Sequence, residues 1–330
     1  MDVGYFAAHE QHDPNTLVEH AVGAEQAGFD RIWVSDHAHP WWHTGAHCGA
    51  AWPWLGSALE RTQSVGIGTG VTPPISRYHP ALIAQVFATL ETMYPGRVHL
   101  TIGTGEAMNE VPLGYGWPGY PERRQRLIEA CEIISRLWSG GFQSYSGTHW
   151  SIDTMQLYTL PDDPVPLSVA ANGPQSTRVA GHYADGLLTL RDPETYEAEL
   201  APDLDAAARD ADRDPATIKR IRQVGVSYAE SYDDALEATG FWRGPRAIGF
   251  HQDISDPREI EERGRDIPID DMADAWLVTT DPADIVETIE RSAAVGFDEI
   301  EFLSTSPDQD QFIEMMAAEV LPTVEESGAV

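Results

Sequence analysis

Short apolar runs of strand length alternate along this chain with longer stretches whose apolar positions recur at helical spacing. VGYFAA (3–8) precedes NTLVEHAVGAEQAGF, RIWVSD (31–36) precedes WLGSALERTQ, and VGIGTGV (65–71) precedes HPALIAQVFATLETMY. VHLTIGTG (98–105) precedes PERRQRLIEACEIISRLWSG. The period switches from strand to helix at each step. FQSYSGTHWSID then reads as an inserted hairpin. VPLSVAAN, DGLLTL and RIRQVGVSYA follow, each with helical sequence behind it, and DEIEFLSTS precedes a last helix rich in Met and Glu. Eight strands separated mostly by helices predict an α/β fold, the (β/α)8 TIM barrel. The short run WLVTTD (276–281) competes for a place in it. A doubly wound sheet is the alternative, but no GxGxxG follows a strand and no P-loop is present. No strong linker divides the chain, so the expectation is one domain over 1–330 with insertions near 141–161 and 240–275.

At 330 residues the chain can bury a sizeable core. Its apolar runs stop well short of the roughly 20 residues that a membrane span needs. MDVGYF has neither the basic nor the apolar part of a signal peptide, so the expected setting is cytoplasmic. The two cysteines, Cys48 and Cys131, lie far apart and form no metal-knuckle motif.

Charge changes the picture more. There are 53 Asp and Glu against 21 Lys and Arg, a formal net charge of -32, and Lys219 is the only lysine. Such self-repulsion opposes folding in dilute buffer and is screened at about 1 M salt, where the Debye length is about 3 Å. The composition fits a halophile. It disfavours nucleic acid and acidic lipid as partners.

In a barrel, functional groups gather just past the C-terminal ends of the strands. Three stretches stand there: SDHAHPWWH, GVTPP and GTGEAMNE. His37, next to Asp36, suits a general base tuned by carboxylates, although a lone loop histidine is more often bonded to a backbone carbonyl. Its clustering with Trp41 and Glu106 offsets that. At least one of Trp41 and Trp42 reads as packing. The competing chemistry is a metal-dependent hydrolase using the pair His37 and His39, with His43 and His47 continuing a four-residue spacing. Pro40 and Gly45 weaken that helix, and the later strands end without the ligands such a site needs. No metal is expected, and a non-catalytic cofactor carrier is a third reading.

At these residues the chain resembles the F420-dependent branch of the luciferase-like oxidoreductases, and within it the F420-dependent glucose-6-phosphate dehydrogenases. The resemblance runs nearly end to end, through VSDHAHPWWHTGAH, IGTGVTPPISRYHPALIAQVFATLETMYPGRV, IGTGEAMNE, RLWSG, VAANGP and ISDPREIEE. It implies a homodimer and a barrel mouth that holds coenzyme F420 rather than FMN, against a non-proline cis peptide between Gly70 and Val71. It also implies cofactor contacts at Asp36, Val71, Thr104, Gly105 and Asn109, and a site for the phosphate tail at Ala171, Asn172 and Gly173. His37 would take the hydroxyl proton of a sugar or alcohol, Trp41 would polarise or shield the oxyanion, and Glu106 would serve the reduced ring. Sugar-phosphate members clamp the substrate phosphate with two lysines and an arginine. Here the matching places hold Arg191, His251 and Ala275, which points to a non-phosphorylated sugar or alcohol.

Thermal stability should therefore rise steeply between dilute buffer and about 1 M KCl. A melting temperature independent of salt would show that the acidic surface does not burden the fold.

Overall fold

The computed structural model describes residues 1–249 and 253–327. Its strands are β1 (Asp2–Ala7), β2 (Arg31–Val34), β3 (Gly66–Thr72), β4 (Val98–Ile102), β5 (Gln143–Ser146), β6 (Ser151–Met155), β7 (Leu167–Ala170), β8 (Gly186–Thr189), β9 (Lys219–Tyr228), β10 (Leu277–Thr279) and β11 (Glu299–Ser304). Eight of these, in the order β11-β1-β2-β3-β4-β7-β8-β9, pair in parallel, and β9 returns to β11 to close a barrel. β5 and β6 form an antiparallel hairpin outside it, within the first expected insertion. WLVTTD does not enter the ring of eight. Its strand β10 pairs with Val226 to Tyr228 of β9, beyond Arg222, where β8 stops.

Local chemistry punctuates these units. The helix Pro14–Ala27 begins where Asp13 accepts from the N–H groups of Asn15 and Thr16, and ends at Gly28, whose φ of 96° suits a residue without Cβ. The strands bury one set of side chains against the helices and another inside the barrel. Gly68 permits the close pairing of β3 with β4, because a Cβ there would stand 2.0 Å from the carbonyl oxygen of His99.

The barrel interior is polar at its N-terminal end. Trp33 Nε1 donates to Glu299 at 2.7 Å, and Lys219 Nζ sits 2.7 Å from both Glu299 and Asp2. Glu301, two residues along β11, is fully buried, and neither of its carboxyl oxygens has a partner. At the other end, the residues of the second insertion fasten onto the histidine-rich loop. Glu261 accepts from the backbone N–H groups of His43 and Thr44, and a Cβ at Gly244 would stand 2.3 Å from the carbonyl oxygen of Trp41.

Burial, and then the neighbouring Glu299, hold the Glu301 carboxyl well above its ordinary range. The unfolded chain ionises this group near its ordinary value while the folded chain does not, so its contribution to stability falls as pH rises above about 4.3. Glu301→Gln should therefore raise the melting temperature at pH 8, with the gain shrinking toward pH 5. An equal or greater gain at pH 5 would contradict the assignment.

Candidate active site

A cavity of about 1130 Å³ opens at the C-terminal ends of the barrel strands. Its lining includes Phe6 in β1 and Glu10 after it, His37 and Trp41 after β2, Gly70 and Val71 in β3, and the run Gly103 to Glu106 after β4. Ala171, Asn172 and Gly173 line it after β7, Arg191 after β8, and Trp242, Met272, Ala275 and Trp276 come from the second insertion and its edge. The peptide between Gly70 and Val71 is cis, and the pairing of β3 with β4 shifts register between Thr69 and Thr72. Gly103 leaves space for that bulge, since a Cβ would stand 3.1 Å from Cγ2 of Val71.

His37 lies at the centre. Its Nδ1 meets Oε1 of the fully buried Glu10 in a close ion pair, and its Nε2 stands 3.9 Å from Oε2 of Glu106. The ring of Trp41 lies edge-on to it, 5.7 Å between centroids at 87°. Burial alone would lower the His37 pKa, but Glu10 and then Glu106 outweigh it and the net direction is upward. Burial pushes the Glu10 carboxyl up, and the imidazolium and the Ser35 hydroxyl more than offset it, so Glu10 lies below its ordinary range. Both partners therefore favour the charged pair.

The loops that carry these groups are tied together. Asn109 donates to Glu106 at 2.8 Å and accepts from the Ala38 N–H at 2.8 Å, bridging the segment after β4 to the segment after β2. Asp36 accepts from Thr72 Oγ1 at 2.7 Å, from Arg77 at 3.1 Å and from Tyr78 at 3.1 Å. Both residues are buried, and neither faces the cavity. Their polar atoms are already engaged in holding the neighbours that do line the space. Glu110 sits behind them, where burial pushes its carboxyl up to about 7 against the opposing effect of Arg77.

His39 does not converge with His37 on a common point. Its Nδ1 lies 3.3 Å from the Ser255 carbonyl oxygen, and no helix forms over His39, His43 and His47. Among the described residues no group of three or more His, Cys, Asp or Glu is arranged to hold a metal ion. Trp42 packs on the insertion, where Arg243 stacks over it at 5.7 Å. Thr104, Gly105 and Arg191 line the cavity, as does Ala275, whereas His251 lies outside the described residues.

Sequence reasoning passed over Glu10. The signal was available, because Glu10 stands just past the end of VGYFAA in the same position, relative to its strand, as the groups taken from β2 and β4.

The family model described as luciferase-like monooxygenase matches residues 1–299. The chain is 45% identical to the F420-dependent glucose-6-phosphate dehydrogenase of Microbacterium testaceum, over 97% of this chain and 96% of that one. It is 43% identical to the protein of the same name from Beutenbergia cavernae, over 98% and 97%. A solved F420-dependent secondary alcohol dehydrogenase, in complex with an F420-acetone adduct, superposes with a TM-score of 0.93 at 38% identity, covering 98% of each chain. With the match spanning the barrel and the cavity at its mouth, the chain belongs to the luciferase-like monooxygenase family.

Proposed function

We propose that this protein is an F420-dependent dehydrogenase acting on the CH–OH group of a neutral sugar or alcohol, working as one catalytic unit over its length. The observation that carries this reading is the Glu10–His37–Glu106 arrangement on one wall of a cavity floored by Gly70, Val71 and Gly103. Relatives named for F420-dependent dehydrogenation at 36–45% identity support the cofactor and the reaction class. The metal-dependent hydrolase has no support in either the histidine geometry or the relatives.

The residues present fit a flat ring with an anionic side chain. The bulge at Gly70 and Val71 and the small residues Gly103 and Gly105 keep one wall free of bulky side chains, and a Cβ at Gly173 would have nothing within 4 Å. Val71, Thr104 and Gly105 would hold the ring, and Ala171, Asn172 and Gly173 the tail. Coenzyme F420, when bound, supplies a deazaflavin that takes up a hydrogen with its two electrons.

The chain's own work is proton chemistry. With Nε2 unprotonated, His37 accepts the substrate hydroxyl proton there, at the atom facing Glu106, and becomes the imidazolium that its raised pKa favours. Glu10, on the opposite nitrogen, stabilises the imidazolium that results and fixes the ring's orientation. Trp41 shields the developing oxyanion from water, and Glu106, held by Asn109, holds or passes a proton across the cavity.

The phosphate group of a sugar phosphate finds little here. Arg191 gives its Nε–H to the Asn172 carbonyl, Ala275 offers no donor, and Arg246 faces Asp274 at 3.9 Å. Losing two of three charge-assisted contacts costs about 3 to 6 kcal/mol, or about two to four decades in affinity. The reading extends to a halophilic, cytoplasmic homodimer without nucleic-acid or membrane partners, supported by the net charge of -32 and by the exposed Leu82 and Met93 on one helix.

Two measurements test this. His37→Ala and Glu106→Gln should each cut turnover by roughly 10²- to 10⁴-fold while leaving the affinity for F420 nearly intact. Near-normal turnover in either variant would remove its assigned role. In about 1 M KCl, chosen because of the acidic surface, at least one unphosphorylated sugar or simple alcohol should show a higher kcat/KM than glucose 6-phosphate with the same F420. Preference for the phosphate ester over every neutral compound would overturn the substrate class.

A further inference from the structure

Besides Asn109, one side chain joins the segment after β2 to the segment after β4. Arg77, which follows β3, gives its guanidinium to the Asp36 carbonyl oxygen and, at 3.1 Å, to Asp36 Oδ1, directly before His37. Its backbone N–H donates to Glu110 Oε2 at 2.8 Å, and its Nε stands 4.0 Å from Glu110 Oε1. The Arg77 side chain is nearly buried and that of Glu110 wholly so. Glu110 closes the one-turn helix Ala107–Glu110 that Glu106 opens as N-cap. It does not line the cavity, and the chemistry assigned to Glu10, His37, Trp41 and Glu106 makes no use of it.

The contact between Arg77 and Glu110 is long for a buried pair, and neither Arg77 Nε nor Glu110 Oε1 has a hydrogen-bond partner. A carboxylate held this way gains less than one in a close, hydrogen-bonded pair, while burial favours its neutral form. The groups that face it pull both ways. Burial and the neighbouring Glu106 oppose its charge, whereas Arg77 and, from the helix Tyr120–Trp138, Arg126 favour it. Tyr78 stands on the same side, its hydroxyl donating to Asp36 at 3.1 Å. The balance leaves the carboxyl at about 7, in the range where a histidine titrates. Arg77 also bears on His37. Burial first, and Arg77 last, work against the His37 proton, and Glu10 and Glu106 outweigh them. An ionised Glu110 offsets the Arg77 charge as felt at His37, and a neutral one leaves only Asp36 paired with it among the described residues.

We propose that Glu110 is a positioning residue for the reaction, which decides through Arg77 how much positive charge His37 feels. It touches neither substrate nor cofactor. The proposal rests on the dehydrogenase reading above and deepens it, because the base of the site is then coupled to a second, hidden carboxyl. As pH rises through neutrality Glu110 loses its proton, and its new charge favours the imidazolium just where His37 would otherwise discharge. Two linked ionisations of this kind spread the His37 transition over a wider pH range than a lone histidine covers.

The test is the nitrogen NMR titration of the His37 ring in the intact protein, without cofactor, at fixed KCl. Wild type should give a curve broader than that of a single proton. Glu110→Gln, which keeps an acceptor for the Arg77 N–H, should sharpen the curve and move its midpoint down by roughly half a pH unit or more. Arg77→Gln should move the midpoint up, and the double variant, which removes both charges, should return it close to wild type. The acid limb of kcat against pH, with an alcohol and F420, should follow the same shifts. The wild-type curve and either single variant suffice if another variant does not fold. A single-proton curve in wild type, an unmoved midpoint in folded Glu110→Gln, or shifts of the same sign in the two single variants would overturn the proposal. A lowered melting temperature with an unmoved midpoint would do so too, since a merely structural Glu110 gives that result. Opposite shifts in a protein that reduces no F420 would uphold the hold of Glu110 on His37 and remove the dehydrogenase reading, whereas normal turnover with unmoved titrations would remove the role of Glu110 alone.

Discussion

A buried carboxylate that stays ionised needs a partner, and the pairing of Glu10 with His37 is the constraint around which the cavity is built. Glu10 is reached from β1 and His37 from β2, so their contact fixes the two segments against each other at the barrel mouth. Ser35 closes the arrangement from below. It donates to Glu10 at 2.9 Å and accepts from the His9 N–H at 2.9 Å. With Nδ1 engaged by Glu10, Nε2 is the nitrogen left to face Glu106 and whatever occupies the space between them.

The second ring of contacts explains why this mouth holds its shape in a chain so rich in like charge. Arg77 approaches Asp36 and Glu110 together, Asn109 joins the segments after β2 and β4, and Glu261 ties the insertion to the histidine-rich loop. These are buried or half-buried contacts, which bulk salt screens much less than exposed ones. The acidic surface and the organised mouth therefore respond to salt differently, the first through long-range repulsion and the second hardly at all.

All eight barrel strands were legible, because each is a short apolar run closed by small or polar residues and followed by helical sequence. WLVTTD was ambiguous for a physical reason. β9 outruns β8, and the free edge of its last three residues recruits β10, a length mismatch between distant strands that no local pattern records. The boundary of β4 was drawn past Ile102 because GTGE follows without a break, and the positive φ of Gly105 at 66° marks the departure from strand geometry. His37, Trp41 and Glu106 were legible from their place past strand ends. Asp36 and Asn109 stand in the same stretches, and their bonds to Thr72 and to the Ala38 N–H belong to the folded chain, since no local pattern announces them.

If His37 is the base of the site, its charge state is governed by Glu10, and that can be read directly. The most direct measurement is the pH titration of the His37 ring by nitrogen NMR in the wild type and in Glu10→Gln. The account requires a wild-type pKa above the ordinary histidine value of about 6.5, falling when Glu10 loses its charge. A wild-type value at or below the ordinary one, or a value indifferent to Glu10→Gln, would contradict it.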